Sequence, residues 1–194
     1  AWDAEGFYYS RYDEPKAGSE LSGSNQYQKL FYHKLNTTQA EDKLIYEDKD
    51  NPSYMFSGET DDEFNYLFLY VSSSTNGNRL LIKDLKKNSD WKLADPDFDT
   101  ATGFVGKSRG KILVLTNTDA PRYRLMAIDP ANPAVENWKE VIPESDGVLS
   151  GVALSKDYII ANYMVDVQSR IKLFNHKGEF IRDLEMPGIA TISG

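Results

Sequence analysis

Apolar residues along this chain come in short runs or in alternation with polar ones, and β-branched and aromatic side chains dominate them. Clusters of Gly, Asp, Asn and Ser divide the runs. The pattern predicts strands at GFYYSRY (6–12), KLFYHKL (29–35), KLIYE (43–47), MFSGE (55–59), YLFLYVS (66–72), RLLIKDL (79–85), WKLA (91–94) and TGFVG (102–106). It continues with KILVLTN (111–117), YRLMAID (123–129), WKEVIP (138–143), SGVAL (150–154), YIIANYM (158–164), IKLFN (171–175) and FIRDL (180–184). Few stretches read as helix. So many short strands at close spacing predict an all-β fold.

The strands recur in a fixed order. Strongly apolar strands carry FYYS, LFLY, ILVL and IIAN. Each is followed by a strand that ends in a polar residue, beginning at Leu30, Leu80, Leu125 and Ile171, about 45–50 residues apart. A short outer strand comes next. Before the last three apolar strands stands a strand of small residues. A four-stranded unit at this period is a β-propeller blade. The expected blades are 1–50, 51–98, 99–145 and 146–187, with 188–194 opening another. Gly58, Gly103, Gly106, Gly151 and Ala153 are expected to let neighbouring backbones converge around a central channel. Both ends of the chain look cut through structure, which predicts an open arc whose unsealed faces favour self-association.

Composition narrows the function. Net charge is −8 and the pI about 4.8. A nucleic-acid partner, which needs a basic surface, and a polybasic membrane anchor are therefore not expected. There is no cysteine, so no disulfide or thiolate site. That suits a reducing compartment without fixing one; a soluble protein of the cytoplasm or the periplasm fits. No apolar run reaches the roughly 18 residues of a membrane helix.

The chain carries one G-x-S-x-G match, Gly106-Lys107-Ser108-Arg109-Gly110. A nucleophile elbow needs strand, sharp turn and helix. Here strands flank the motif, so it reads as a decoy. Of the two histidines, His33 belongs to an alternating strand and is expected on its polar face, and His176 to the turn NHKGE. Neither has an evident serine–carboxylate set, and no catalytic residue is expected. Asp95, Asp97 and Asp99 alternate as in a calcium loop, but Thr100 and Gly106 stand where glycine and glutamate are required. No metal or other cofactor is expected. The tyrosines suit blade packing better than a carbohydrate surface.

Particular words add a resemblance. NQYQKLFYHKLNTTQAED resembles a pattern of the prolyl oligopeptidase propeller through Gln28, Lys29, Leu30, Tyr32, His33, Leu35, Thr37, Gln39, Glu41 and Asp42. It departs at Asn36, where that family commonly has Gly. NGNRLLIKDL and TNTDAPRYRLMAIDPANPAVENWKEVIPE resemble two further segments, and MPGIATISG the start of the next blade. The resemblance implies four blades of a seven-bladed ring that caps an α/β-hydrolase domain. That domain holds a Ser-His-Asp triad and cleaves short peptides after proline, while the propeller excludes folded proteins. It implies Met55 in the pocket for the residue third upstream of the cut. An arginine of the family falls near Ser72, and a small residue near Ser74 or Thr75. Two alternatives stay open: a related peptidase preferring basic residues, and a stand-alone propeller that binds a ligand or protein.

Overall fold

A computed structural model describes residues 1–14, 18, 24–186, 188, 190 and 191. All fifteen predicted strands form, and the only helical pieces among the described residues are two 3-10 turns, at Gln39–Glu41 and Val135–Asn137. The chain divides into two compact units, Ala1–Asp99 and Thr100–Gly194.

The first unit holds two antiparallel meanders. One runs β1 (Gly6–Arg11), β2 (Lys29–Lys34), β3 (Lys43–Glu47); the other β4 (Met55–Thr60), β5 (Tyr66–Ser72), β6 (Arg79–Asp84), β7 (Lys92–Asp95). The second unit holds β8 (Thr102–Ser108), β9 (Lys111–Thr116), β10 (Arg124–Ile128), β11 (Lys139–Ile142), then β12 (Val148–Leu154), β13 (Ile159–Val165), β14 (Gln168–Phe174), β15 (Phe180–Leu184). The first sheet resolves three strands instead of four. No small-residue strand precedes it; the N-terminal residues fold back through a single bridge, Trp2 to Phe7. Of the expected opening of a further blade at 188–194, positions 189 and 192–194 lie outside the described residues.

Side chains of each sheet interlock with the next sheet of its unit. In the first, Tyr8 and Leu30 pack against Phe56, Leu67, Leu69 and Val71. In the second, Leu113, Leu125 and Ile142 pack against Leu149, Ile159, Ala161 and Tyr163. Leu67, Phe68 and Leu69 are all inaccessible, which explains why β5 reads as a continuous apolar run: a strand covered on both faces has no polar side to show. Three of the residues that marked the repeat, Leu30, Leu80 and Leu125, sit at one structural position. Ladder register slips between Leu30 and Phe31, between Leu80 and Leu81, and between Leu125 and Met126, where β3, β7 and β11 each carry an extra residue. Beyond Ile171 the slip comes later, between Leu173 and Phe174.

The glycines divide. A Cβ on Gly58 would stand 3.3 Å from Leu30, and one on Gly106 only 2.6 Å from Leu154. These are close approaches between successive sheets, as expected. No heavy atom lies within 4 Å of a Cβ placed on Gly103 or Gly151. Gly178 has the strictest need: its φ is +85°, and a Cβ would collide with the Val141 carbonyl.

A polar network ties the first sheet together. The Asp42 carboxylate, with a side chain 1% exposed, accepts from the Tyr9 hydroxyl and from His33 Nδ1 at 2.7 Å. Gln39 donates to Tyr9 at 3.2 Å, and Glu41 accepts from both the amide and the hydroxyl of Thr38. His33 stacks on Phe7 at 5.1 Å, so it is half-buried rather than on a free polar face. Burial pushes the Asp42 carboxyl up, but the hydrogen bonds from Tyr9 and His33 outweigh it and hold the group below the usual aspartate range.

Leu69→Ala should cost about 2–5 kcal/mol in urea unfolding, because it empties a fully buried site. Asp42 has a depressed folded pKa. Its contribution is therefore complete above the ordinary aspartate value of about 3.9 and fades as pH falls below it. Asp42→Asn should lower the urea midpoint at neutral pH and flatten its decline on acidification; an unchanged acid limb would contradict this.

Candidate functional site

Met55 and Ser72, 17 residues apart in sequence, stand directly opposite each other in the β4–β5 ladder. Met55 opens β4 and keeps 39% of its surface exposed. Its neighbour Phe56 is anchored to the first sheet at both backbone groups: the amide donates to Gln28 at 2.5 Å, and the carbonyl accepts from Ser10 at 2.6 Å. The thioether is thus presented from a fixed strand end. Beyond Ser72 the chain turns through an exposed loop into β6. Ser72 donates to the Gly77 carbonyl at 3.3 Å, and Ser74 both donates to the Asn76 carbonyl and accepts from its amide. Thr75 is exposed in the same loop.

The four predicted residues therefore share one end of one sheet, Met55 and Ser72 in register and Ser74 and Thr75 in the adjoining loop. The nearest arginine in the ladder is Arg79, paired with Val71. Its guanidinium is already engaged, donating to the Pro96 carbonyl at 2.7 Å and lying 4.0 Å over the Phe98 ring. Phe98 in turn packs on Tyr54 at 5.0 Å. This end of the sheet offers a polarizable apolar contact and neutral hydroxyls. It can shape a subsite; it has no acid, base or nucleophile matched for bond cleavage.

Asp95, Asp97 and Asp99 turn the backbone. Asp95 accepts from the Asp97 amide at 3.1 Å, and Asp97 from the Asp99 amide at 2.9 Å. Asp95 is buried at the end of β7 and Asp97 and Asp99 are exposed, so these Asx turns carry the chain out of the strand into the loop.

The G-x-S-x-G match is no nucleophile elbow. Ser108 ends β8, Arg109 and Gly110 reverse the chain with φ of +52° and +75°, and β9 begins at Lys111. Yet Ser108 has a partner that local pattern could not supply. Its Oγ lies 2.8 Å from Nδ1 of His176, 68 residues away. His176 Nε2 lies 3.1 Å from the Ser155 carbonyl. A carbonyl only accepts, so Nε2 carries the proton and Nδ1 accepts from the serine. The histidines thus divide the parts of a triad: His33 has a carboxylate without a serine, and His176 a serine without a carboxylate. The turn NHKGE pins the second, since Asn175 accepts from the amides of Lys177 and Glu179 at 2.8 and 3.1 Å.

Comparison with known proteins accounts for the repeat. A family model described as prolyl oligopeptidase, N-terminal beta-propeller domain, matches residues 1–194. Prolyl endopeptidases of Elizabethkingia miricola and Elizabethkingia meningoseptica are 36% and 37% identical over 98% of this chain. The chain spans 27% of the length of each. Among solved structures, prolyl oligopeptidase B of Galerina marginata, bound to a 35mer hydrolysis and macrocyclization substrate, aligns with a TM-score of 0.83 at 26% identity, over 93% of this chain and 26% of that one. The apo form of that protein gives 0.84 at 25% identity, over 97% of this chain and 26% of that one. The recurring four-stranded sheets are propeller blades, and the chain belongs to the prolyl oligopeptidase family, as part of its N-terminal β-propeller domain.

Proposed function

We propose that this chain is the gating segment of an enzyme that hydrolyses short peptides after proline, and that it contributes no catalytic group. The observation that carries the reading is the family match along the whole chain, together with prolyl endopeptidases that extend far beyond it. The parent enzyme would supply an α/β-hydrolase domain with the nucleophile, base and orienting acid. The propeller would act by exclusion, since packed blades leave folded proteins no route to an enclosed site while oligopeptides pass. Met55, with Ser72, Ser74 and Thr75 beside it, would border the pocket for the residue third upstream of the cut.

The names of the relatives favour prolyl over basic-residue specificity. Their length favours an enzyme over a stand-alone binding propeller. Phe180, Ile181 and Leu184 of β15 are 41–54% exposed and would meet a further blade in the parent protein. In the 194-residue chain alone we expect them to draw a second copy.

The chain by itself should leave a Gly-Pro reporter peptide uncleaved, while the full-length protein cleaves it; serine-reagent-sensitive peptide cleavage by the pure chain would overturn the reading. In the full-length enzyme, Met55→Ala should raise KM about 10-fold for peptides with a large apolar residue third upstream of the cut, with kcat nearly unchanged. Equal kinetics for all peptides would remove Met55 from the pocket.

A further inference from the structure

Gating makes no use of the Ser108–His176 pair. We propose that Ser108 is a latent nucleophile, with His176 as its base, that accepts acyl groups from small activated esters.

The geometry has three parts. The serine proton already points at a basic nitrogen, with Oγ and Nδ1 at 2.8 Å. The other ring nitrogen is fixed on the Ser155 carbonyl at 3.1 Å, which holds the imidazole in the tautomer a base requires. Finally, the β8–β9 ladder closes on the pair Ser108 and Lys111. The amides of Arg109 and Gly110 therefore lie outside the ladder, next to the serine, where backbone N–H groups can meet a developing oxyanion.

The chemistry balances without a further reagent. Oγ bonds to the ester carbonyl carbon while its proton moves to Nδ1. The tetrahedral oxyanion collapses, the bond to the phenolic oxygen breaks, and the phenolate leaves with acyl-Ser108 behind; Nδ1 passes its proton to the phenolate or to water and is a base again. Water attacks that ester with Nδ1 again taking the proton, and the carboxylic acid departs as Ser108 regains its hydrogen. Charged groups on the three segments that meet here are Lys107, Arg109, Lys111, Lys156, Asp157, Lys177 and Glu179, and Lys111 is paired with Asp129 at 2.7 Å. Cations still outnumber carboxylates, which suits neutral or anionic acyl donors. A carbonyl dipole stabilises imidazolium less than a carboxylate does, so esters with good leaving groups are within reach and peptide amides are not.

The test treats the pure chain with p-nitrophenyl acetate and maps acetylation by peptide mass spectrometry over time. Ser57, exposed on β4, serves as the internal reference. Ser108 should be acetylated about 100-fold faster than Ser57, the low end of general-base assistance. The rate at Ser108 should fall to the Ser57 level in His176→Asn. Should that variant fail to fold, the Ser108-to-Ser57 ratio in the unaltered chain still decides. Acetylation confined to lysines, or equal at the two serines, would overturn the proposal, as would an unchanged Ser108 rate in folded His176→Asn. A hydrogen bond that only joins two sheets predicts no preference for Ser108 over Ser57.

Discussion

Burial of the middle strands on both faces is the constraint from which the rest of the structure follows. A strand such as β5, with Leu67, Phe68 and Leu69 all inaccessible, can exist only if its sheet has neighbours on each side. One sheet of four short strands cannot provide that cover for itself. Interlocked pairs satisfy part of the demand within each unit, through Leu30 against Leu67 and Leu69, and Leu125 against Ile159 and Ala161. The need for stacking explains why the chain is repetitive and why its candidate functional residues sit at strand ends and in turns, where side chains are not committed to the core.

Much of the fold was legible because the information is local. Alternation and apolar runs located every strand, and Leu30, Leu80 and Leu125 marked the period because each occupies the same fully buried position. The family words were legible for another reason: they are structural ties. Gln28 caps the start of β4, Gln39 and Asp42 hold Tyr9, and Glu41 holds Thr38. Trp138 donates to the Pro133 carbonyl at 2.7 Å, and Glu144 accepts from the Arg122 amide at 2.6 Å. Even the departure at Asn36 has a physical reading. Its φ is +65°, a left-handed position that glycine fills without strain and asparagine tolerates better than most residues.

What stayed hidden is non-local. Nothing around Ser108 announces His176, since the two meet only when the β8–β9 turn and the β14–β15 turn come together. His33 looked surface-facing from alternation alone, and the aromatic stack with Phe7 and the reach of Asp42 reversed that. At the Met55 end of β4, spacing alone had no means of placing Ser72 across from it; ladder register did so.

The slipped register beside Leu30, Leu80 and Leu125 has a consequence for how such modules behave in company. An edge strand kinked by one surplus residue offers its free amides and carbonyls at uneven intervals. An incoming flat strand cannot match them. A protein assembled from many nearly identical sheets would otherwise be at risk of zipping edge to edge into fibres. The irregular rims leave the flat apolar sides as the surfaces on which sheets adhere, as the paired sheets of each unit do.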